Sequence, residues 1–372
     1  MSPAKSARTP QPTAAPPPAG GAPERRRARR TNPTAVKLDD VARVAGVSTA
    51  SVSRALNTPE LVSPALRERV VKAVRELNWV PNGPAKALAS LRTRTVGALI
   101  PTLGHQNFAL LVDTLQRELG KARYTLFIGC VDNSAELRIQ QGFKMVEQGV
   151  EFLVLVGEAQ PQELYDMLDS RNVAHVITYA TSRKTGRPCI GFDNYDAAFR
   201  IAGHLLELGH TNFAMIAPPD QMNDRIQQRI AGARDRLAQA GIAIRPQHFT
   251  RADSRAIEGG RMGLRAILAA PGSRPTALIC ANDYLASGAL IEARALGISV
   301  PDELSVVGFD DTEMSAHLDP PLTTIRVPSR ELGEEIARHI LRVLEEGVNK
   351  PPPLLEAKLV MRASTAPPPT QR

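Results

Sequence analysis

The stretch LDDVARVAGVSTASVSRALN, Leu38 to Asn57, decides how the front of this chain folds. Val41, Ala42 and Ala45 follow the spacing i, i+1, i+4 of one helical face. Gly46 stands where that helix must stop, because glycine enters the left-handed region without a steric penalty. Ser48 then offers an N-cap to a second helix whose Val52 and Leu56 share a face. Two short helices across a tight turn form a helix-turn-helix. The outward face of the second helix carries Thr49, Ala50, Ser51, Ser53 and Arg54. Small hydrogen-bonding side chains with one cation suit a helix lying in a major groove.

A third helix follows in SPALRERVVKAVRELNW, with Ser63 as cap, Pro64 in the first turn, and Leu66, Val70, Val74 and Leu77 on one face. Residues 36–81 therefore read as a three-helix DNA-binding domain. Residues 82–94 read as a linker containing a short helix-capable core, Ala85 to Leu91. So short a helix is marginal in water and orders when something docks against it. Residues 1–35 are rich in Pro and Ala, contain ERRRARR (Glu24–Arg30), and read as a disordered basic tail. That Arg run either adds non-specific DNA affinity by counterion release or is passively solvated.

Charge supports the division. Residues 1–94 hold 17 Lys and Arg against 6 Asp and Glu, whereas the rest of the chain balances at −3 within a total of +8. A basic module on a nearly neutral body is the footprint of phosphate binding. No apolar run approaches the roughly 20 residues needed to cross a bilayer, so no membrane partner is expected. No signal-peptide core opens the chain, and a cytoplasmic location is the expectation. Cys130, Cys189 and Cys280 lack metal-ligand spacing and lie in apolar strand-like runs, so they read as buried thiols and no metal site is expected.

From Val96 the rhythm changes to alternating strands and helices. Strand candidates are VGALIP, TLFIGCV, FLVLVG, HVITY, CIGFD, FAMIAP, ALICAND and SVVGFDD. Amphipathic segments such as ALLVDTLQRELGKA, FRIAGHLLELG and GALIEARALG lie between most of them. This is the pattern of parallel sheets covered on both faces. The strands are too many for one comfortable sheet, so residues 95–362 read as two α/β lobes. Two facing lobes enclose a cleft, and its ligand sits at the carboxyl ends of the strands.

With these motifs in view, the chain resembles the lactose/galactose-repressor family of bacterial transcription regulators from about Lys37 to Arg362. The resemblance rests on DVARVAGVSTASVSRALN, VSPALRERV, LNWVPN, AKALAS, LLELGHTNFAMI, ANDYLASGAL, DELSVVGFDD and PPLTTIRVP, in family order and spacing. It implies an α/β fold: a helix-turn-helix domain and hinge helix, then a two-lobe core like a periplasmic binding protein. It implies that Thr49, Ala50 and Arg54 read bases, while Ser48, Ser51, Asn57 and Ser63 steady the helices or contact phosphate. It also implies that Lys86, Leu88 and Ala89 belong to a hinge helix entering the minor groove, with Leu88 as the wedge. Gly83 and Pro84 depart from the bulkier residues usual before that helix, and Gly83 raises the entropic cost of ordering it. For the core it implies an effector cleft built from His105, Asn107, Phe108, Asp193, Arg229, Asn282 and Asp310. Carboxylate, amide and guanidinium groups suit a polyhydroxylated ligand. The loop at His105 and the run GFDNYDAA look closest to gluconate-responsive members. The expected partners are operator DNA and a small-molecule effector, with no cofactor.

Two other classes compete. A sugar-binding transport receptor shares the two-lobe core but has no use for residues 37–94. An α/β sugar-metabolising enzyme would need a phosphate loop, a dinucleotide fingerprint or a nucleophile elbow, and none of these is present. After Arg362 only ASTAPPPTQR remains, read as a disordered tail over 363–372. Three consecutive prolines exclude a heptad helix, so the expected assembly is a homodimer on a palindromic operator and not a tetramer.

Overall fold

The computed structural model describes residues 36–81, 83, 87, 92–132, 134–181, 185–219, 221–252 and 256–370. The chain divides into two compact units, 1–82 and 83–372. The expectations for residues 1–35 and for Lys86, Leu88 and Ala89 fall outside the described residues.

The first unit holds α1 (Leu38–Ala45), α2 (Thr49–Asn57) and α3 (Pro64–Glu76). Gly46 closes α1 at φ 66°, and Val47 N–H donates back to Ala42. Ser48 Oγ accepts from Ser51 N–H at 3.2 Å and Ser63 Oγ from Leu66 N–H at 3.3 Å, so both expected caps are formed. The core is Val41, Ala42, Ala45, Val52, Ala55, Val70 and Ala73, with Leu56, Val74, Leu77 and Trp79 partly buried around it. Alanine alternating with valine at the contact positions lets these short helices approach closely.

The second unit contains two parallel sheets. The first comprises β1 (Thr95–Ile100), β2 (Thr125–Cys130), β3 (Phe152–Val156), β4 (Ala174–Thr178) and β5 (Cys189–Ile190), in the order β2-β1-β3-β4-β5. Its intervening helices are α4 (Gln106–Lys121), α5 (Ala135–Glu147) and α6 (Gln162–Ser170). The chain then crosses to the second lobe through α7 (Asn194–Glu207). There β6 (Phe213–Ala217), α8 (Asp224–Gln239), β7 (Phe249–Arg251), α9 (Ile257–Ala269), β8 (Ala277–Cys280), α10 (Asp283–Ala295) and β9 (Ser305–Val307) build a sheet ordered β7-β6-β8-β9. After β10 (Thr324–Arg326) the chain returns to the first lobe as α11 (Ser329–Leu341) and packs along α4. Gly333 permits that approach, because a Cβ there would press on the Thr114 side chain. A last crossing brings β11 (Lys358–Val360) antiparallel to β10. In both sheets the strand order reverses beside the first strand, at β1/β3 and at β6/β8. These are the switch points where crevices open.

All eight strand candidates form, and β7, β10 and β11 are additional. Two expectations need correction. Cys189 and Cys280 are buried, but Cys130 is exposed because β2 is an edge strand; Phe127 and Ile128 on it are each 37% exposed. The segment after Arg362 is not a loose tail over residues 363–370. Ser364 is fully buried, its carbonyl accepts from Val306 N–H at 2.8 Å, and its hydroxyl accepts from Thr323 N–H at 2.8 Å. Ala366 is held by Ser305 and by the buried His210 ring. The prolines forbid a helix there but not an extended strand-like pairing that covers β9.

Candidate functional site

On α2, Ala50, Arg54 and Asn57 are exposed and Thr49, Ser51 and Ser53 are half-buried. Ser48 and Ser51 hydroxyls lie 3.0 Å apart at the cap, and Asn57 Nδ2 donates to Ser53 Oγ at 3.2 Å. Arg43 on α1 is paired with Asp40, whereas the Arg54 guanidinium meets no acceptor among the described residues. One unspent fork beside small side chains is the stereochemistry of a guanine contact.

In the core, a cleft of about 470 Å³ opens between the strand ends. His105, the N-cap residue of α4, and Phe108 line it from the first lobe. Arg229 on α8, Asn282 at the start of α10 and Asp310 after β9 line it from the second. Asn282 spends its carbonyl on the helix, accepting from Leu285 N–H at 2.8 Å. Arg229 is nearly buried: Nε donates to Asn194 Oδ1 at 2.9 Å, Nη1 to the Ala281 carbonyl at 2.7 Å, and its carbon lies 3.5 Å from the Phe309 ring centre. Burial lowers the Arg229 pKa, and the Asp310 charge works against that shift.

Asp310 carries the decisive geometry. Its side chain is 5% exposed; Oδ2 faces His105 Nε2 at 3.2 Å without hydrogen-bond alignment, and Oδ1 lies 3.8 Å from Arg229 Nη1. Its backbone is in the left-handed region at φ 133°, with Asp311 following at 53°. Strained backbone of this kind clusters at ligand sites.

Two expected residues sit elsewhere. Asn107 is buried and donates to the Asp310 carbonyl at 3.4 Å, so it supports the cleft wall without lining it. Asp193 accepts from Asp196 N–H as the cap of α7 and lines a separate recess of about 230 Å³. Arg225 stands between the two cavities and lines both. Sequence reasoning missed it, although its spacing of i, i+4 from Arg229 on α8 put both on one face. Tyr179 was also missed; its hydroxyl donates within reach of the Asn107 carbonyl and Ser329 Oγ, each at 3.0 Å. No cluster of His, Cys, Asp or Glu suited to a metal ion occurs among the described residues.

The lacI family of bacterial regulatory proteins matches residues 37–82, and a periplasmic binding protein-like domain matches 202–365. The HTH-type transcriptional repressor CytR of Escherichia coli is 31% identical over 335 residues, 89% of this chain and 97% of its own length. The chain belongs to the lacI family. Another member, the ribose operon repressor of Haemophilus influenzae, is 30% identical over 88% of this chain and 98% of its own. The lac repressor dimer bound to operator and an anti-inducer superposes with a TM-score of 0.79 at 29% identity, covering 89% of this chain and 99% of that one. The regulator GntR of Chromobacterium violaceum gives 0.68 at 27% identity, over 73% and 99%. As a lacI-family protein the chain is a DNA-binding transcription regulator and not an enzyme, which settles the choice against both rival classes. No described helix is long and apolar enough to cross a membrane.

Proposed function

We propose that this regulator represses a carbohydrate or sugar-acid catabolic operon, binding a palindromic operator as a homodimer in the cytoplasm and releasing or gripping it according to a small effector in the cleft. The observation that carries the effector reading is Asp310, a buried carboxylate lining the cleft with Oδ2 3.2 Å from His105 Nε2 and Oδ1 3.8 Å from the nearly buried Arg229. An acceptor and a fork of donors side by side match adjacent hydroxyls on one ligand. Phe108 supplies an apolar surface for the ring. The lac repressor is a dimer on its operator, and the Haemophilus relative is a ribose operon repressor. The loop at His105 and the run GFDNYDAA support a sugar acid of gluconate type. In this reading Thr49, Ala50 and Arg54 read base edges, and Ser48, Ser51, Asn57 and Ser63 hold the phosphate side. Lys86, Leu88 and Ala89 form the minor-groove element.

The test is a thermal-shift screen with ribose, gluconate and other sugars, sugar acids and purines, followed by operator binding with each compound that binds. Ligand at about 100 times its Kd stabilises the folded state by about 2.7 kcal/mol. A stabilising sugar or sugar acid that also changes operator affinity supports the proposal. Stabilisation by purines alone replaces the substrate class.

A further inference from the structure

We propose that Asp283 is a positioning residue for Asp310: its buried carboxylate brackets the strained turn 310–315 and holds the ligand-facing carboxylate in place. The inference rests on the reading of Asp310 as the cleft's acceptor. Asp283 is the first residue of α10, is wholly buried, and does not line the cleft. Its Oδ2 accepts from Thr312 N–H at 2.9 Å and from the Ser315 hydroxyl at 2.6 Å. Oδ1 accepts from the Thr324 hydroxyl at 2.5 Å, on the strand beyond the turn. Asp283 N–H donates to the Phe309 carbonyl at 2.9 Å, immediately before the turn. One residue thus fixes the turn at its entry, its middle and its exit.

The turn requires such a holder. Asp310 and Asp311 are consecutive non-glycine residues at φ 133° and 53°. Conformations of this kind persist only where the surroundings over-determine them. Asp311 is held on the outside by Arg326 and Arg362, at 2.7 and 2.6 Å. On the inside Asp283 holds it, beside the Asp310 N–H bond to the Ile325 carbonyl at 2.8 Å and the contacts of Asn107 and Gln106 with Asp310 and Glu313. Gly308 completes the arrangement, since a Cβ there would collide with Asp283 Oδ1. Burial, and next the Asp310 charge, push the Asp283 carboxyl up to about 6, so the protein keeps an expensive group at this place. A structural core position is filled more cheaply by an apolar side chain.

The experiment compares Asp283→Ala and Asp283→Asn in the full chain by hydrogen exchange without ligand. In the alanine variant, exchange of the amides in 310–315 should accelerate by about tenfold or more while β6 and β8 keep their protection. In the asparagine variant it should return to within about threefold of the parent, because the amide oxygen accepts from Thr312 and Ser315 while its nitrogen faces the Thr324 hydroxyl. Gluconate and ribose titrations should follow the same order wherever the parent binds the probe. Unchanged exchange in the alanine variant overturns the proposal, as does failure of asparagine to restore it. Should the alanine variant not fold, Ser315→Ala removes one bond of the bracket and must still raise exchange within the turn. These exchange readings need no ligand, so their failure leaves the cleft reading standing, whereas a failed ligand screen leaves the bracket standing.

Discussion

Asp310 of the second lobe stands 3.2 Å from His105 of the first, so the two lobes meet at the very carboxylate that faces the cleft. Gln106 and Asn107, the next two residues, reach the same turn, through Glu313 N–H and the Asp310 carbonyl. Any ligand that engages Asp310 therefore competes with, or completes, an interlobe contact.

Arg229→Met and Asp310→Asn should each weaken binding of the effector found by the screen at least about tenfold, in line with roughly 1.5–3 kcal/mol for a charge-assisted contact. The circular dichroism spectrum should be that of the parent. Calorimetric affinity unchanged in both variants would move the site elsewhere.

Arg54→Ala should cost about 1–3 kcal/mol at one base pair of each half-site and relax specificity there. Selection of binding sites from random DNA should return an inverted repeat. A single unrepeated motif contradicts the two-fold reading.

Acidity should act on Asp283 in a defined direction. Its carboxyl in the folded chain titrates near 6, above the ordinary 3.8, so folding takes up a proton between these values. The stabilisation from the neutral form is complete below the lower value and is lost as pH rises through the upper one. Asp283→Asn should remove this dependence and stabilise the protein at neutral pH by on the order of 2 kcal/mol. Urea unfolding of parent and variant at several pH values checks it; parallel curves would count against it.

Light scattering at micromolar concentration should give the mass of two chains. Phe127 and Ile128 on the edge strand β2 and Phe143 on α5 are large apolar side chains left exposed, which an interface would cover. Ile128→Lys should shift the population toward monomer, and a mass near four chains would reveal an interface not anticipated.

Much of this architecture is legible in the sequence because the strands that build the sheet centres are unbroken apolar runs. The strands missed, β7, β10 and β11, have three residues each and carry Arg251, Arg326 and Lys358. Periodicity has nothing to grip in so short a stretch. TLFIGCV looks like a core strand by composition, but which strand ends at an edge is fixed by pairing order, which composition does not encode. In the cleft, Arg229 and Asp310 were legible through resemblance to relatives. Asp193 caps α7 and lines the neighbouring recess, a place the sequence does not distinguish because a helix cap and a ligand contact ask for the same residue type. Asp283 carries no signal of its own in the sequence, and only the folded turn reveals what its carboxylate holds.

The chain passes between the lobes three times: before α7, between β10 and α11, and before β11. Neither lobe is therefore a continuous piece of the gene. Recombination can exchange the front module at a single junction, giving the same sensor a new address on the chromosome. Exchange of one lobe would need several simultaneous breakpoints, so the sensing half is inherited as a block.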